Sequence, residues 1–174
     1  MRLVAPLLIV LAVGCAAEEP PPPVGPRIAF GRDFEGFTGW RAYPLPDESL
    51  TDGHLSSPSR TLYIDREPPP EGQPFELGTI VIKTIEEGPP SEWVVHAMVK
   101  RGGGYNPDGA VDWEFFDLHL EDDEQVAIAW RGTGDDGVLY FDPTTGDRLA
   151  CNSCHAFGGE LDYVFSRAVF YPAE

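Results

Sequence analysis

Gly78-Thr79-Ile80-Val81-Ile82-Lys83-Thr84-Ile85 is an apolar run broken by a single charge and bounded by Gly78 on one side and Gly88 on the other. Branched β-carbons lose rotamer freedom against a preceding helical turn but fit a pleated sheet, so this composition predicts a strand. Working outward, Arg60-Thr61-Leu62-Tyr63-Ile64 alternates in the same way and is stopped by Asp65 and Pro68-Pro69-Pro70. Trp93-Val94-Val95-His96-Ala97-Met98-Val99 follows the break at Gly88-Pro89-Pro90, and Trp113-Glu114-Phe115-Phe116-Asp117-Leu118-His119-Leu120 follows a glycine-rich loop from Gly102 to Gly109. Short Gly/Pro connections between such runs join antiparallel neighbours. Helix is scarcer. Glu121 to Trp130 reads as one short helix. Asp142-Pro143-Thr144-Thr145-Gly146-Asp147 reads as a turn, with Thr or Asp available to cap a helix through Cys151 and Cys154. The segment from Asp162 to Phe170 is helical or extended. No internal repeat is present. The fold class is therefore a sheet-dominated α+β domain with an antiparallel sheet, a few short helices and the two cysteines near its carboxyl end.

The chain has 174 residues, enough for one domain of ordinary size. Its net charge of −17 argues against nucleic acid or an anionic membrane surface as a partner. Two readings of the acidity stand: solubility outside the cytoplasm, and steering of a basic redox partner to an acidic face.

Residues 1–14 read as a targeting segment. Arg2 is a minimal charged region, and Leu3 to Val13 is an apolar run too short to span a bilayer. The run ends at Leu11-Ala12-Val13-Gly14-Cys15, which resembles a bacterial lipobox with Cys15 as the acylated residue; an ordinary secretory signal is the alternative. Residues 15–27, with Pro20-Pro21-Pro22-Pro23, have nothing to bury and favour extended polyproline geometry at about 3.1 Å per residue. They form a semi-stiff stalk between a lipid anchor and a domain spanning residues 28–174. Lipid at Cys15 would hold that domain on the periplasmic side of a membrane, and Ala16 rather than an aspartate favours the outer membrane.

With Cys15 committed to lipid, the domain holds only Cys151 and Cys154. In Cys151-Asn152-Ser153-Cys154-His155 the positions i, i+3 and i+4 share one helical face. Two thiols can then bond a porphyrin while the imidazole reaches its iron from the same side. That is the attachment pattern of haem c, with His155 as the iron ligand. A thioredoxin-like pair would want a βαβ context, structural zinc would want four ligands, and a disulfide would leave His155 accidental. The ligand opposite His155 decides between a carrier and an open site. Candidates for it are Met98, His54, His96 and His119.

The residues around this motif resemble the cytochrome P-460 family and its relatives, the cytochromes c′-beta. The resemblance runs from about Gly39 to Pro172. It rests on Trp40, Arg60 to Asp65, Gly78 to Lys83, Trp113-Glu114-Phe115-Phe116, the haem motif and Asp162-Tyr163-Val164-Phe165-Ser166-Arg167, in that order. It implies a curved antiparallel sheet with a few helices, a homodimer, and one covalent haem c open on one side to a small ligand such as hydroxylamine or a nitrogen oxide. In the P-460 branch, which oxidises hydroxylamine, a lysine is bonded to the haem ring, and Lys83 matches it. The c′-beta branch lacks that bond and binds nitric oxide or carbon monoxide. Arg60 matches a family arginine near the open side. His96 is a departure, falling where hydroxylamine-oxidising members place a carboxylate. An imidazole there could act as a base, donate a hydrogen bond, or close the site as a sixth ligand. The resemblance implies a hydroxylamine or nitric oxide oxidoreductase. A gas-binding protein and a tethered electron carrier with His96 or Met98 on iron are the alternatives.

Overall fold

A computed structural model describes residues 25–45, 59–121, 125–133, 139–141, 148–166 and 169. Six strands form one antiparallel sheet in chain order: β1 (Arg41–Pro44), β2 (Ser59–Ile64), β3 (Ile80–Glu86), β4 (Val94–Lys100), β5 (Trp113–Leu120) and β6 (Val126–Gly132). The sheet is open rather than closed on itself. A separate two-stranded ladder pairs β7 (Leu139–Phe141) with β8 (Arg148–Ala150), and β8 leads directly into α1 (Cys151–His155). A 3-10 turn, Ala156–Leu161, continues from α1. The architecture is the expected sheet-dominated α+β, with its helical segment near the carboxyl end. Among the described residues no helix is long and apolar enough to cross a membrane.

Alternation sends each strand's side chains to two faces, and both faces are covered. One carries Tyr63, Ile80, Ile82, Val95, Ala97, Val99, Phe116 and Leu118, and the amino-terminal segment packs over it with Ala29, Phe34 and Phe37. Phe34 meets Phe116 with ring centroids 5.1 Å apart, and Phe37 meets Tyr63 at 5.2 Å. The other face carries Leu62, Ile64, Val81, Met98, Trp113 and Phe115, and the carboxyl-terminal segment covers it with Cys151, Tyr163, Val164 and Val169. Between the layers Glu114 is almost fully buried. Arg131 donates to both of its carboxylate oxygens at 2.8 Å, and Arg101 lies 3.2 Å away. Arg131 also donates to Ala29 O at 2.8 Å, so this ion cluster ties the amino-terminal segment to the sheet.

Two local expectations are corrected. Glu121 to Trp130 is not a helix: Glu121 N donates to Gln125 O at 2.9 Å, closing a hairpin, and Val126 onward forms β6. A short apolar run fits periods of 2 and 3.6 about equally well. Pairing with β5 decides it, because a strand there satisfies the edge of β5, with Leu118 opposite Ile128. Nor does a Thr or Asp from residues 142–147 cap α1. The residue before the helix is Ala150, which makes no side-chain cap, because β8 intervenes; 142–147 themselves lie outside the described residues.

Candidate functional site

The strand register aligns one row of side chains across the sheet: Leu62 on β2, Lys83 on β3, His96 on β4, Asp117 on β5 and Trp130 on β6. Directly opposed residues in adjacent strands lie on the same face and within mutual reach. The row sits on the face with Val81, Met98 and Phe115, the one that α1 covers. Lys83 is thus on an interior strand, half-buried between Leu62 and His96, rather than a charge guarding a sheet edge. Arg60 lies on this face too, two residues from Leu62 and paired with Ile85, and is 4% exposed.

α1 is a single turn, so Cys151, Cys154 and His155 share one side of it. The two cysteines are not joined to each other in a disulfide. Burial is the largest influence on Cys151 and pushes its thiol up, with Cys154 and Asp117 adding and Lys83 opposing. Burial thus works against the lowered thiol pKa that a dithiol built for exchange uses. Among the described residues no group of three or more His, Cys, Asp or Glu side chains is arranged to hold a metal ion.

His155 is held on three sides. Its ring lies between Phe115 and Phe165, with centroid distances of 5.2 and 5.4 Å. Its Nδ1 is 2.6 Å from Tyr163 O. A carbonyl can only accept, so Nδ1 carries the proton and Nε2 keeps its lone pair. Burial, the largest influence, pushes the pKa of His155 down; the Tyr163 carbonyl opposes this and Lys83 adds to it. The result is a neutral imidazole with one nitrogen able to ligate. Together with two adjacent thiols, this donor set fits a covalently attached haem.

The helix is fixed to the body of the domain by Asn152. Its Oδ1 accepts from Ala110 N at 2.9 Å and from Asn106 Nδ2 at 2.7 Å, and its Nδ2 donates to Asn106 Oδ1 at 3.2 Å. All three residues are buried. Asn106 holds a left-handed backbone at φ 56°, which Asn tolerates better than most residues.

His96 is a third exposed, and its Nε2 is 3.9 Å from Asp117 Oδ1. Burial nonetheless dominates and pushes its pKa below the ordinary value of 6.5; Asp117 opposes this and Lys83 adds to it. His96 and Asp117 line an open cleft with Trp93, Val94 and His119. Lys83 acts electrostatically on Cys151, His155 and His96, so the structure brings together four of the predicted positions from β3, β4 and α1. Of the other candidates, Met98 is buried in the apolar cluster under α1, His119 is exposed, and Cys15 and His54 lie outside the described residues. Asp117 was missed. Its alternation with Phe115 on a strand was legible, but its placement beside His96 depends on the β4–β5 register. Compared with known proteins, the chain matches no family model, no curated protein and no solved structure.

Proposed function

We propose that this chain is a lipid-anchored, mono-haem c-type cytochrome that handles hydroxylamine or nitric oxide. The observation that carries this reading is the donor set on α1: two cysteines on one turn beside an imidazole whose Nδ1 is engaged by Tyr163 O. Cys151 and Cys154 would hold the group by thioether bonds and His155 Nε2 would bind its iron. Bound there, haem supplies an iron that takes a small nitrogen ligand and passes electrons.

The chain's own residues supply the rest. His96, neutral above its lowered pKa, is a base able to take a proton from a nitrogen substrate. Asp117 lies beside it and stabilises the protonated ring that forms. Lys83, opposite His96 in register, disfavours that protonated ring and places positive charge on the face beneath α1. Its position also supports the lysine attachment that the P-460 resemblance implies. Arg60, buried on the same face, adds a second cation. The acidic surface, at net −17, suits a basic electron acceptor. Homodimerisation and the Cys15 anchor follow from the resemblance and the lipobox.

The test is expression of the full chain in a host competent for cytochrome maturation. The expected product carries one covalent haem that Cys151→Ala or Cys154→Ala weakens and His155→Ala leaves without its ligand. Peptide mapping then reads whether Lys83 is attached, and stopped-flow mixing with hydroxylamine reads haem reduction. A purified wild-type chain with no colour and no mass gain overturns the reading. A low-spin spectrum that resists added ligands selects the electron carrier, and diatomic binding without turnover selects the gas-binding protein.

A further inference from the structure

Beyond α1 the chain makes an unusual turn. Asp162 and Tyr163 are consecutive non-glycine residues with left-handed backbones, φ 48° and 69°. Such conformations are costly for residues with a β-carbon and persist only where the surroundings enforce them. The backbone part of the enforcement is local: Asp162 N donates to Gly159 O at 3.2 Å and Tyr163 N to Gly158 O at 2.8 Å. A β-carbon on Gly158 would lie 3.2 Å from Tyr163 Cα, close enough that the turn would have to give by a few tenths of an ångström.

The rest comes from the sheet. Asp162 Oδ1 accepts from Lys100 Nζ at 2.6 Å, and Oδ2 accepts from Phe75 N at 2.8 Å. The pair is nearly buried, with 10% and 12% of the two side chains exposed, and the Lys100 ammonium lies 5.2 Å from the centroid of the Trp113 ring. Buried ion pairs of this kind contribute little net stability, and apolar replacements of similar volume are often neutral. What this one does is fix a position. It pins the first residue of the turn to β4 and to the backbone before β3. The second residue of that same turn offers the carbonyl that takes the His155 Nδ1 proton.

We infer that Lys100 and Asp162 are positioning residues for His155: by holding the Asp162–Tyr163 turn they fix the acceptor that selects the His155 tautomer and sets its strength as a ligand. A partner on the far nitrogen of a ligating histidine orients the ring and raises its basicity, and loosening that partner weakens donation to the metal. The inference rests on His155 being the iron ligand, as proposed above.

The experiment uses the full-length holoprotein and reads two quantities unrelated to turnover: the iron–histidine stretching frequency of the reduced haem and its reduction potential. Asp162→Ala is expected to move the stretch to lower frequency and the potential upward. Lys100→Met should do the same to a smaller degree, since Phe75 N still holds Oδ2. Asp162→Asn should fall with Lys100→Met rather than with Asp162→Ala, because Asn tolerates the left-handed backbone and keeps an acceptor for Phe75 N but turns an amide N–H donor toward the Lys100 ammonium. If Asp162→Ala does not fold, Lys100→Met against wild type carries the comparison. Variants that lose stability but keep the wild-type frequency and potential overturn the inference and leave the haem reading intact. A wild-type chain that takes up no haem, or whose haem shows no histidine ligand, overturns both.

Discussion

Gly109 and Asn152 stand 43 positions apart in sequence, yet substituting one should change the cost of substituting the other. Asn152→Ala removes an amide that answers three buried groups. Ala110 N, fully buried, loses its acceptor, and Asn106 loses a partner for Nδ2 and for Oδ1. Asn106 Nδ2 still has Ala110 O at 3.2 Å, which leaves the Ala110 N–H as the main orphan. One unsatisfied buried donor costs about 1–3 kcal/mol. Gly109→Ala acts on the same spot from the other side, since a β-carbon there would collide with Cγ and both amide heteroatoms of Asn152. Gly109 does not hold a left-handed backbone, so steric conflict is the cause of any loss. Overpacking of this kind costs about 1–3 kcal/mol. With Asn152 already shortened to Ala the conflict is gone, and Gly109→Ala should be near neutral, or stabilising by about 0.4–1 kcal/mol through the unfolded chain. The double variant should therefore be about as stable as Asn152→Ala alone, with a coupling of about −1 to −3 kcal/mol. Urea unfolding of the wild-type, two single-variant and double-variant proteins measures it. Singles that add to within about 0.5 kcal/mol in the double variant would refute the clamp.

Lys83→Met should raise the pKa of His96 toward 6.5 and Asp117→Asn should lower it further, because the two charges act on it in opposite directions; NMR titration of the ring in each variant reads both shifts. Folded His96 refuses protons that the unfolded chain takes up below 6.5, so its contribution to stability is full above that pH and is lost as pH falls through the lower folded value. Unfolding curves across pH 5 to 7 should lose part of their slope in His96→Gln, and an unchanged slope would count against burial as the cause. Glu114→Ala leaves Arg131 and Arg101 without their shared carboxylate and should cost about 3–5 kcal/mol in urea unfolding. A loss below about 1 kcal/mol would mean that the cluster does not tie residues near Ala29 to the sheet.

The four central strands were legible because each is a run whose alternation fits burial on a sheet, and no other element of that length accommodates Ile80-Val81-Ile82 or Trp113 to Leu120 as well. β1 was not legible: Arg41-Ala42-Tyr43-Pro44 carries little apolar signal and is a strand because β2 offers it an edge. β6 was misread for the related reason that pairing, not propensity, settles a short apolar segment.

The sequence by itself determined that Cys151, Cys154 and His155 share one side of a single turn, because spacing along one turn is a local property of the chain. It also marked Lys83 and His96 as polar residues out of keeping with their runs. Only the tertiary structure decided that Lys83, His96 and Asp117 form one row, since register is set by pairings between segments and a slip of one residue would send them to opposite faces. The acceptor for His155 was equally out of reach. A carbonyl has no residue type to reveal it, and Tyr163 O is in place because a lysine from β4 holds the turn that carries it.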